Sequence, residues 1–322
     1  MNKLSVIIPF YNSSEFLEKS IQSIFQQSYE NIEYIFVNDC STDNSVEILE
    51  SLFEKFPTRA LQAKLIHHEK NKGSGAARNT GLLASNGDFI IFFDSDDWVE
   101  LELYEKMIDK AIEKNADIVC CGFIMEYDDR SEKLEYEQSY DDKVAIRKMK
   151  FDLLYSSLCN KIVRKHLYTN NNISFYKGID MWEDVGVMSR LRVLSENTVV
   201  IRNAYYHYNK LNFNSIVSVP TVGKIQQEIK CAELLKDFFL ERDPTLNLVS
   251  DYLRFVSKSD FLFNVKIKEL DLWRSVNNDT HKNIMKFRNI PYNMRLISWV
   301  GANISVNLAR AIVLFKNRFL KS

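Results

Sequence analysis

Three aspartates stand directly after a run of apolar residues in the segment DFIIFFDSDDWVE, which covers residues 88–100. Asp94, Asp96 and Asp97 follow the apolar letters FIIFF, so we expect a buried strand to end in three carboxylates. Carboxylates this close repel each other, and in a shielded site one of them takes up a proton unless a cation neutralises the group. The spacing therefore predicts a cationic partner for the cluster.

The first half of the sequence alternates short β-rich runs with helical patterns, which is typical of parallel strands joined by crossover helices. The β-rich runs are LSVIIPF, IEYIFVND, KLIHHE, DFIIFFD and ADIVCCGF. Residues 16–25, SVEILESLFEKF and LYEKMIDKAIEKN show helical spacing, and Asn12 with Glu15 is expected to cap the first of these helices. The pattern predicts an α/β fold with a mostly parallel sheet flanked by helices.

Polar residues follow three of the expected strands. Pro9, Tyr11 and Asn12 come at the end of the first strand, Asp39 after the second, and the aspartate cluster after the fourth. Ligands bind outside the carboxyl ends of strands in open α/β sheets, so we expect these residues to line one crevice. A single strand that ends in Asp or Asn is usually a turn or a helix cap. The convergence of three such ends favours a ligand site.

Nucleotide binding is the usual role of such a crevice, yet the common phosphate loops are missing from the sequence. GSGAARNTG has Gly73 and Gly75 but Arg78 where a dinucleotide fingerprint has its third glycine, and there is no Walker lysine motif. A hard divalent cation binds carboxylate oxygens together with diphosphate oxygens and cancels the repulsion among them. The aspartate cluster is therefore predicted to hold Mn²⁺ or Mg²⁺ against a diphosphate.

Five motifs in order, SVIIPFYN, VNDCSTDNS, NKGSGAARNTGL, FFDSDD and WEDVG, resemble the family 2 glycosyltransferases, and the resemblance extends to about residue 218. It implies a GT-A fold, which is Rossmann-like, and a UDP-sugar donor. It also implies a divalent metal and an inverting transfer to a hydroxyl acceptor, and a role in bacterial surface polysaccharide synthesis.

The resemblance assigns roles to individual positions. The family's nucleotide contacts match Pro9, Tyr11, Asn12, Asp39, Asn71 and Arg78. Among these, Asp39 is expected to read the base, typically uracil. The metal motif matches Asp94 and Asp96, and the additional Asp97 leaves open which carboxylate is the main metal ligand and which contacts ribose. Cys40 stands where many members have glycine, which predicts a modest change in turn geometry.

The segment KGIDMWEDVGVMSRLRVL resembles the part of the family that supplies the catalytic base, with Asp184 at that position and Glu183 beside it. A carboxylate within hydrogen-bond reach can take the proton of an acceptor hydroxyl as the bond to the sugar forms. Acids in the first turn of a helix also complement the backbone dipole. The two roles are compatible, because a base at the start of a helix is well positioned.

Two pairs of residues near these motifs carry weaker signals. Lys161 and Arg164 resemble basic positions near the family's acceptor site, and a solvated basic helix face is the alternative. Trp98 and Trp182 each flank a carboxylate motif and could form walls for sugar rings, and ordinary core burial is the alternative.

The histidines are assigned mainly structural roles. His207 is expected to be structural, and its alternative is a contact with the diphosphate or the metal. His67 and His68 fall within an expected strand and are interpreted as packing or edge residues.

Composition and charge exclude several classes of protein. The 322 residues are 46% hydrophobic and 26% charged, as in ordinary globular proteins, and the net charge of -1 argues against nucleic-acid binding. The five cysteines show no C-x-x-C spacing, so neither a disulfide framework nor a zinc site is indicated. Because the opening MNKLSVIIPFYN holds too short an apolar run for a signal peptide, we expect a cytoplasmic protein.

The chain is predicted to divide into two parts. Residues 1–218 are expected to form the transferase domain, with a nucleotide-binding half (1–124) and an acceptor-binding half (125–218). The polar stretch at 125–143 predicts an exposed hairpin or loop. Residues 219–322 are expected to form a helical extension.

The end of the chain is basic, because no acidic residue follows Asp279. The segment RLISWVGANISVNLARAIVLFKNRFLKS predicts an amphipathic helix with a broad apolar face. Its expected polar stripe contains Asn303, Asn307, Arg310, Asn317 and Arg318. A helix lying in a membrane interface beside anionic lipids fits this pattern, and the acceptor would then be a lipid-linked saccharide. A helix that closes over the core or forms a dimer contact is the alternative.

Two other functions compete with glycosyl transfer at this point. An acidic pocket at strand ends also suits a magnesium-dependent phosphatase or phosphoryl-transfer enzyme, but the first strand ends in PFYN without a nucleophilic Asp. The third function is that of an inactive membrane-associated scaffold, against which the presence of Asp39, Asp96 and Asp184 counts.

Overall fold

The computed structural model describes residues 2–137, 140–212 and 221–319. The chain forms two compact units, one within Met1–Asp142 and Phe151–Ser215 and the other within Lys143–Lys150 and Ile216–Ser322. The short segment Lys143–Lys150 thus groups with the second unit, which no feature of the sequence pattern indicates. The functional division into residues 1–218 and 219–322 stays a prediction.

The strands of the first unit form one mixed sheet. They are β1 (Leu4–Phe10), β2 (Ile32–Asn38), β3 (Ala63–His67), β4 (Phe89–Phe92), β5 (Trp98–Val99), β6 (Ile118–Glu126), β7 (Ser131–Leu134), β8 (Lys161–Arg164) and β9 (Thr198–Asn209). Their order is β3-β2-β1-β4-β8-β6-β9-β5, and β7 pairs with β6. Strand β8 runs antiparallel between β4 and β6, whereas β1 to β4, β6 and β9 share one direction.

All five β-rich runs of the sequence are strands, and the prediction of an α/β fold with a mostly parallel sheet is confirmed. The side chains of β4 are buried along its whole length, and those of β1 are buried at every position but Pro9. Burial of successive residues is expected of parallel strands that are covered on both faces. The expected exposed hairpin is present in the first part of the stretch 125–143, because β7 pairs antiparallel with the end of β6 and is mostly exposed. Residues 138–139 lie outside the described residues.

The helices up to residue 194 are α1 (Leu17–Phe25), α2 (Ser45–Lys55), α3 (Pro57–Ala60), α4 (Ser74–Ala84), α5 (Leu103–Glu113), α6 (Asp142–Arg147), α7 (Leu153–Ser156), α8 (Lys165–Thr169) and α9 (Glu183–Leu194). The predicted capping pair of Asn12 and Glu15 is wrong. Helix α1 begins after Phe16 and has no side-chain cap. Asn12 instead adopts the left-handed conformation, with φ 49, and its Oδ1 accepts a hydrogen bond from the Thr42 backbone N–H at 2.7 Å.

The second unit is helical, as expected. Its main elements are α10 (Val222–Arg242), α11 (Asn247–Val256), α12 (Ser259–Phe263), α13 (Leu270–Ser275), α14 (Tyr292–Asn303) and α15 (Val306–Phe319), with 3-10 helices at Pro244–Leu246 and Asn278–Lys286. Within the described ranges, no helix combines the length and apolar character needed to cross a bilayer.

The prediction of one amphipathic helix at the end of the chain is wrong in two respects. The segment forms two helices, α14 and α15, which are separated at residues 304–305. Arg310 is buried rather than part of an exposed polar stripe, and it donates hydrogen bonds to the carbonyl oxygens of Leu262, Asn264 and Ile267. Carbonyl groups at and beyond the end of a helix such as α12 need donors, and the guanidinium supplies them. The side chains of Asn317 and Arg318 lie outside the described part of the structure.

Helix α4 packs closely on β1 because one of its residues has no side chain. A Cβ atom added at Gly81 would lie 2.2 Å from the Cγ2 atom of Ile7, which is fully buried in β1. Real atoms do not approach this closely, so only glycine allows the observed separation of helix and strand. The packing sets the height of α4 over the sheet, and with it the position of Arg78 one turn earlier.

We expect Gly81→Ala to lower the free energy of unfolding by about 1–3 kcal/mol, since the added methyl group overpacks the contact with Ile7. Hydrogen–deuterium exchange of the β1 and α4 amides measures this local change. The control is Leu83→Ala in the same helix, whose exposed side chain predicts a change within about 0.5 kcal/mol. Unaltered amide protection in Gly81→Ala would contradict the packing argument.

Candidate active site

The carboxyl ends of β1, β2 and β4 come together at one edge of the sheet, as the sequence predicts. The backbone N–H of Asp39 donates to the carbonyl of Phe10 at 2.9 Å, which joins the ends of β2 and β1. The hydroxyl groups of Ser13 and Ser95 are 2.8 Å apart, which joins the loop after β1 to the aspartate loop after β4. The three polar loops therefore border one region.

Asp39 is buried and its carboxylate is held by three donors. Its Oδ1 lies 2.6 Å from Nδ1 of His68 and accepts the Lys72 backbone N–H at 2.9 Å, and its Oδ2 accepts the Gly73 backbone N–H at 2.8 Å. On the other side of the imidazole ring, Nε2 lies 2.9 Å from the Thr80 hydroxyl. These contacts fix the carboxylate as an acceptor at the sheet edge.

His68 is a residue whose role sequence reasoning missed. The interpretation of His67 and His68 as packing or edge residues does not describe His68, which is buried beside Asp39 just after β3. No motif marks it, because its partner lies 29 positions earlier in the sequence.

Three other predicted nucleotide contacts lie on segments that bind Asp39: Pro9 and Tyr11 flank Phe10, and Asn71 shares the Gly73 N–H. Tyr11 is exposed, Pro9 is half-buried near the end of β1, and Asn71 accepts the Gly73 backbone N–H at 3.2 Å. Cys40 has φ 67, so a cysteine here adopts the left-handed conformation that glycine takes readily.

The glycines of GSGAARNTG allow the backbone at the start of α4 to approach Asp180 closely. Gly73 has φ 90, and a Cβ atom there would lie 2.3 Å from Oδ1 of Asp180. The Gly75 backbone N–H donates to the same oxygen at 3.2 Å. The segment therefore connects the start of α4 to the loop that precedes α9.

Arg78 links the aspartate cluster to the expected catalytic acids. One of its guanidinium nitrogens donates to Glu183 Oε1 at 2.6 Å and the other terminal nitrogen donates to Asp94 Oδ1 at 2.8 Å. Burial opposes the charge on Arg78, but Asp94 and Glu183 outweigh it and raise its pKa above the ordinary value. The Ser74 hydroxyl also donates to Glu183, at 3.3 Å.

Glu183 and Asp184 occupy the first turn of α9. Burial raises the pKa of Glu183 to about 7 and also raises the pKa of Asp184, which accepts the Val185 backbone N–H at 2.6 Å. A carboxyl pKa moved towards neutrality suits proton transfer to and from a substrate. Trp182, just before the helix, has φ 63, and non-glycine residues in this strained conformation cluster at functional sites.

The three aspartates differ in their surroundings. Asp96 Oδ2 accepts a hydrogen bond from the Asn212 side chain at 2.8 Å, and Asp97 Oδ1 accepts the Asn209 backbone N–H at 2.8 Å. Burial, followed by repulsion from Asp94, raises the pKa of Asp96. Burial, followed by repulsion from Asp96 and Asp94, raises the pKa of Asp97 well above the ordinary value.

The carboxylate oxygens of the aspartate cluster fit a divalent metal ion. One ligand atom each from Asp94, Asp97 and Cys159 lies within 4.8 Å of the others, and Oδ2 of the buried Asp97 has no hydrogen-bond partner among the described residues. Carboxylate oxygens are the donors that Mg²⁺ and Mn²⁺ prefer. Asp96 lies outside this three-residue group, and the proximity of Cys159 has no sequence signal, because its thiol approaches from another part of the chain.

Lys161 and Arg164 lie on strand β8 and not on the helix face that was the alternative. Lys161 is buried and donates to the Leu154 and Ser157 carbonyls and to the Asn160 side chain, so its ammonium group serves the interior of the first unit. Arg164 donates to the Ala116 carbonyl at 2.7 Å. We therefore leave both out of the proposed acceptor contacts.

Trp98 and His207 pack against each other on adjacent strands. Their rings stack with centroids 5.3 Å apart, and the ammonium nitrogen of Lys19 lies 2.9 Å from the centre of the Trp98 ring. His207 Nδ1 lies 2.6 Å from Glu126 Oε1. The Trp98 ring is thus contacted by His207 and by Lys19, and His207 takes part in the packing of β5 on β9. Its alternative role as a diphosphate or metal contact stays a prediction.

Comparisons with known proteins agree with this architecture. Residues 5–170 match the model of a family described as glycosyl transferase family 2. The chain is 31% identical to EpsH of Bacillus subtilis over 66% of this chain and 62% of the relative, and 30% identical to the glycosyltransferase GlyG of Streptococcus pneumoniae over 64% and 70%. The match to EpsH thus spans less than two thirds of that protein.

The structure also resembles a solved protein over nearly its whole length. It superimposes on residues 1–349 of Staphylococcus aureus TarS with a TM-score of 0.77 at 20% identity, over 98% of this chain and 91% of that one. At this identity the likeness shows the fold.

We expect the stability of Glu183→Gln relative to the wild type to increase from about pH 5 to about pH 8. Because the pKa of Glu183 is raised to about 7 in the folded protein, the native state binds more protons than the unfolded chain at intermediate pH, and wild-type stability falls as the pH rises. Glutamine carries no such charge. Urea denaturation in the presence of EDTA measures the difference.

The control for this experiment is Glu113→Gln. Hydrogen bonds from Lys110 and Lys114 lower the pKa of Glu113, so any pH trend of this variant has the opposite sign. A relative stability of Glu183→Gln that is constant with pH would show that burial does not penalise the charged carboxylate.

Proposed function

Since this chain belongs to glycosyl transferase family 2, we propose that it transfers a sugar from a UDP-sugar to a hydroxyl group of a saccharide or lipid-linked saccharide. The transfer inverts the anomeric centre and depends on a divalent metal. The proposed setting is bacterial surface polysaccharide synthesis, as the sequence resemblance implies.

The observation that carries the proposal is the connection of three distant acids through the start of α4. Gly73 donates to Asp39, and Arg78 donates to both Asp94 and Glu183. The nucleobase, the diphosphate and the acceptor hydroxyl must be held at fixed separations during transfer, because alignment of the reacting groups supplies much of the rate. A single helix start that contacts all three acids provides those separations.

The nucleotide end of the site is proposed to be Asp39 and its neighbours. The Asp39 carboxylate is fixed as an acceptor by His68 and two backbone donors, so it can accept the N3–H group of uracil. Tyr11 is exposed and directly follows Phe10, whose carbonyl binds the Asp39 backbone, and we propose that its ring packs on the uridine. TarS is described in complex with UDP-GlcNAc, which is therefore the first donor to test.

The carboxylates of Asp94, Asp96 and Asp97 would hold Mn²⁺ or Mg²⁺. When bound, such an ion supplies positive charge that stabilises the departing diphosphate, so no acid is needed to protonate it. Arg78, which in this structure already neutralises Asp94, is well placed to add its charge to the same group.

The acceptor end of the site is proposed to be the first turn of α9. Asp184 accepts the proton of the acceptor hydroxyl while that oxygen attacks the sugar from the face opposite the diphosphate. The raised pKa of Asp184 makes its carboxylate a stronger base than an exposed aspartate. Glu183, tied to Arg78 and Ser74, keeps the first turn in place.

We expect Asp184→Asn to lower the rate of sugar transfer at least about 100-fold with little change in UDP-sugar affinity, because it removes the proton acceptor alone. A screen of UDP-sugars with Mn²⁺, scored for transfer to acceptor and for hydrolysis, measures the rate, and titration calorimetry measures the affinity. Asp96→Asn in parallel is expected to weaken metal-dependent UDP binding.

Glu196→Gln is the matched control, because this exposed acid lies just after the same helix and wild-type rates are expected. Wild-type transfer by Asp184→Asn would remove that residue from the mechanism. Release of inorganic phosphate from phosphate esters without sugar transfer would favour a phosphatase instead. A melting temperature that UDP with Mn²⁺ leaves unchanged would count against any nucleotide-sugar enzyme.

We expect His68→Phe to weaken UDP binding by about tenfold, since a hydrogen bond to a charged group contributes about 1.5–3 kcal/mol and its loss frees the Asp39 carboxylate to move. His67→Phe, at the neighbouring exposed position, is the control and is expected to bind UDP almost as the wild type does. Calorimetric titration with UDP measures both.

A structural effect of His68→Phe is separated from a role through Asp39 by a double-mutant cycle. In an Asp39→Asn background, His68→Phe is expected to cause little further loss of affinity. Losses that add in full would show that His68 does not act through Asp39.

A further inference from the structure

The last two helices of the second unit expose large apolar side chains. The exposed fractions are 62% for Tyr292, 45% for Leu296, 41% for Trp299, 57% for Ile304, 48% for Leu308, 38% for Ile312 and 49% for Leu314. Nearly half of the large apolar side chains that are exposed in the described part of the chain lie between residues 292 and 315. Single exposed apolar residues are ordinary, but a concentration of them marks an interaction surface.

These residues form stripes along the helices. Tyr292, Leu296 and Trp299 are spaced four and three residues apart, which places them on one side of α14, and Leu308 and Ile312 repeat the spacing of four on α15. The opposite sides of the helices are also apolar, because Ile297 and Val313 are buried. One face thus completes the core of the second unit, and the other faces outwards. We call the outward face the apolar surface.

The chain from α14 onwards carries only basic charges, whereas the start of α13, which packs against α15, presents the exposed acids Glu269 and Asp271. Asp279 is paired with Arg254. No acidic residue follows Asp279 in the sequence. The segment Asn278–Lys286 packs against α14, partly through a hydrogen bond from Arg295 to the Met285 carbonyl at 2.8 Å. Exposed basic side chains on and after this segment are those of Lys282, Lys286 and Arg288. Arg310 does not contribute, because its guanidinium binds carbonyl groups inside the unit.

We propose that the apolar surface docks on an anionic lipid bilayer, with α14 and α15 lying in the plane of the headgroups. Short helices with apolar outward faces and basic neighbours bind such interfaces without crossing them. A second copy of the chain fits less well, because a twofold interface would bring the same basic residues together. The bilayer instead supplies negative charge to the basic residues and an apolar layer to the side chains.

The test uses the whole chain and vesicles of phosphatidylcholine alone or mixed with phosphatidylglycerol. The wild type is expected to bind the mixed vesicles at least about tenfold more tightly, a factor that two basic residues near an anionic surface supply, and added salt is expected to weaken this binding. Brominated lipids are expected to quench Trp299, and Trp299→Phe is expected to remove that part of the quenching.

Two independent variants test the apolar contribution. Leu308→Ser with Ile312→Ser on α15, and Leu296→Ser on α14, are each expected to reduce vesicle binding several-fold at an unchanged melting temperature. The matched control is Leu61→Ser with Leu83→Ser, because these side chains are 90% and 87% exposed in the first unit. The control is expected to bind vesicles as the wild type does.

Equal binding to both kinds of vesicle, or wild-type binding by both α14 and α15 variants, would overturn the proposal. A wild-type dimer in analytical ultracentrifugation that the serine variants convert to monomer, without vesicle binding, would show that a second copy covers the apolar surface. The measurements need no sugar donor, so their outcome is independent of the proposed transfer activity.

Discussion

A single, largely buried guanidinium group organises the candidate site. Arg78 lies between Asp94, which follows the fourth strand, and Glu183, which begins α9, and it hydrogen-bonds to both. A buried charge is tolerated only when it is paired, and removing one partner of such a network leaves an uncompensated charge. The position of the Arg78 side chain therefore depends on the strand order, on the packing of α4 and on the loop before α9. Glycine at position 81 contributes to the position of Arg78, because the absence of a Cβ atom lets α4 approach β1.

The parts of the fold that depend on short-range patterns were predictable from the sequence. Continuous apolar runs marked the strands, because strands covered on both faces need no polar alternation, and polar residues at their ends marked the crevice. The site contacts made by His68, Cys159 and Asn212 were not predictable. Each depends on a partner far away in the sequence, and no local period or spacing reports such a pair.

The errors of prediction have a common physical origin. The helical wheel of the last segment assumed that polar side chains face water, but Arg310 faces inwards because carbonyl groups near the end of α12 need donors. The capping pair assumed that Asn12 serves the following helix, but its amide oxygen serves the Thr42 backbone. The alternative of a solvated basic helix face assumed that Lys161 faces water, but Lys161 lies on a strand and donates to acceptors within the first unit. In all three cases a hydrogen-bond partner within the protein replaces water: acceptors for Arg310 and Lys161, and a backbone donor for Asn12.

The contact between Gly73 and Asp180 has a consequence for how the protein can change over generations. Position 73 needs a left-handed backbone and leaves no volume for a methyl group while Asp180 is present. A new residue there would have to tolerate φ 90 and arrive together with a smaller residue at 180. We therefore expect single substitutions at position 73 to be selected against. Changes in the loop that opens α4 and in the loop that precedes α9 are expected to occur together, because the two loops are in contact.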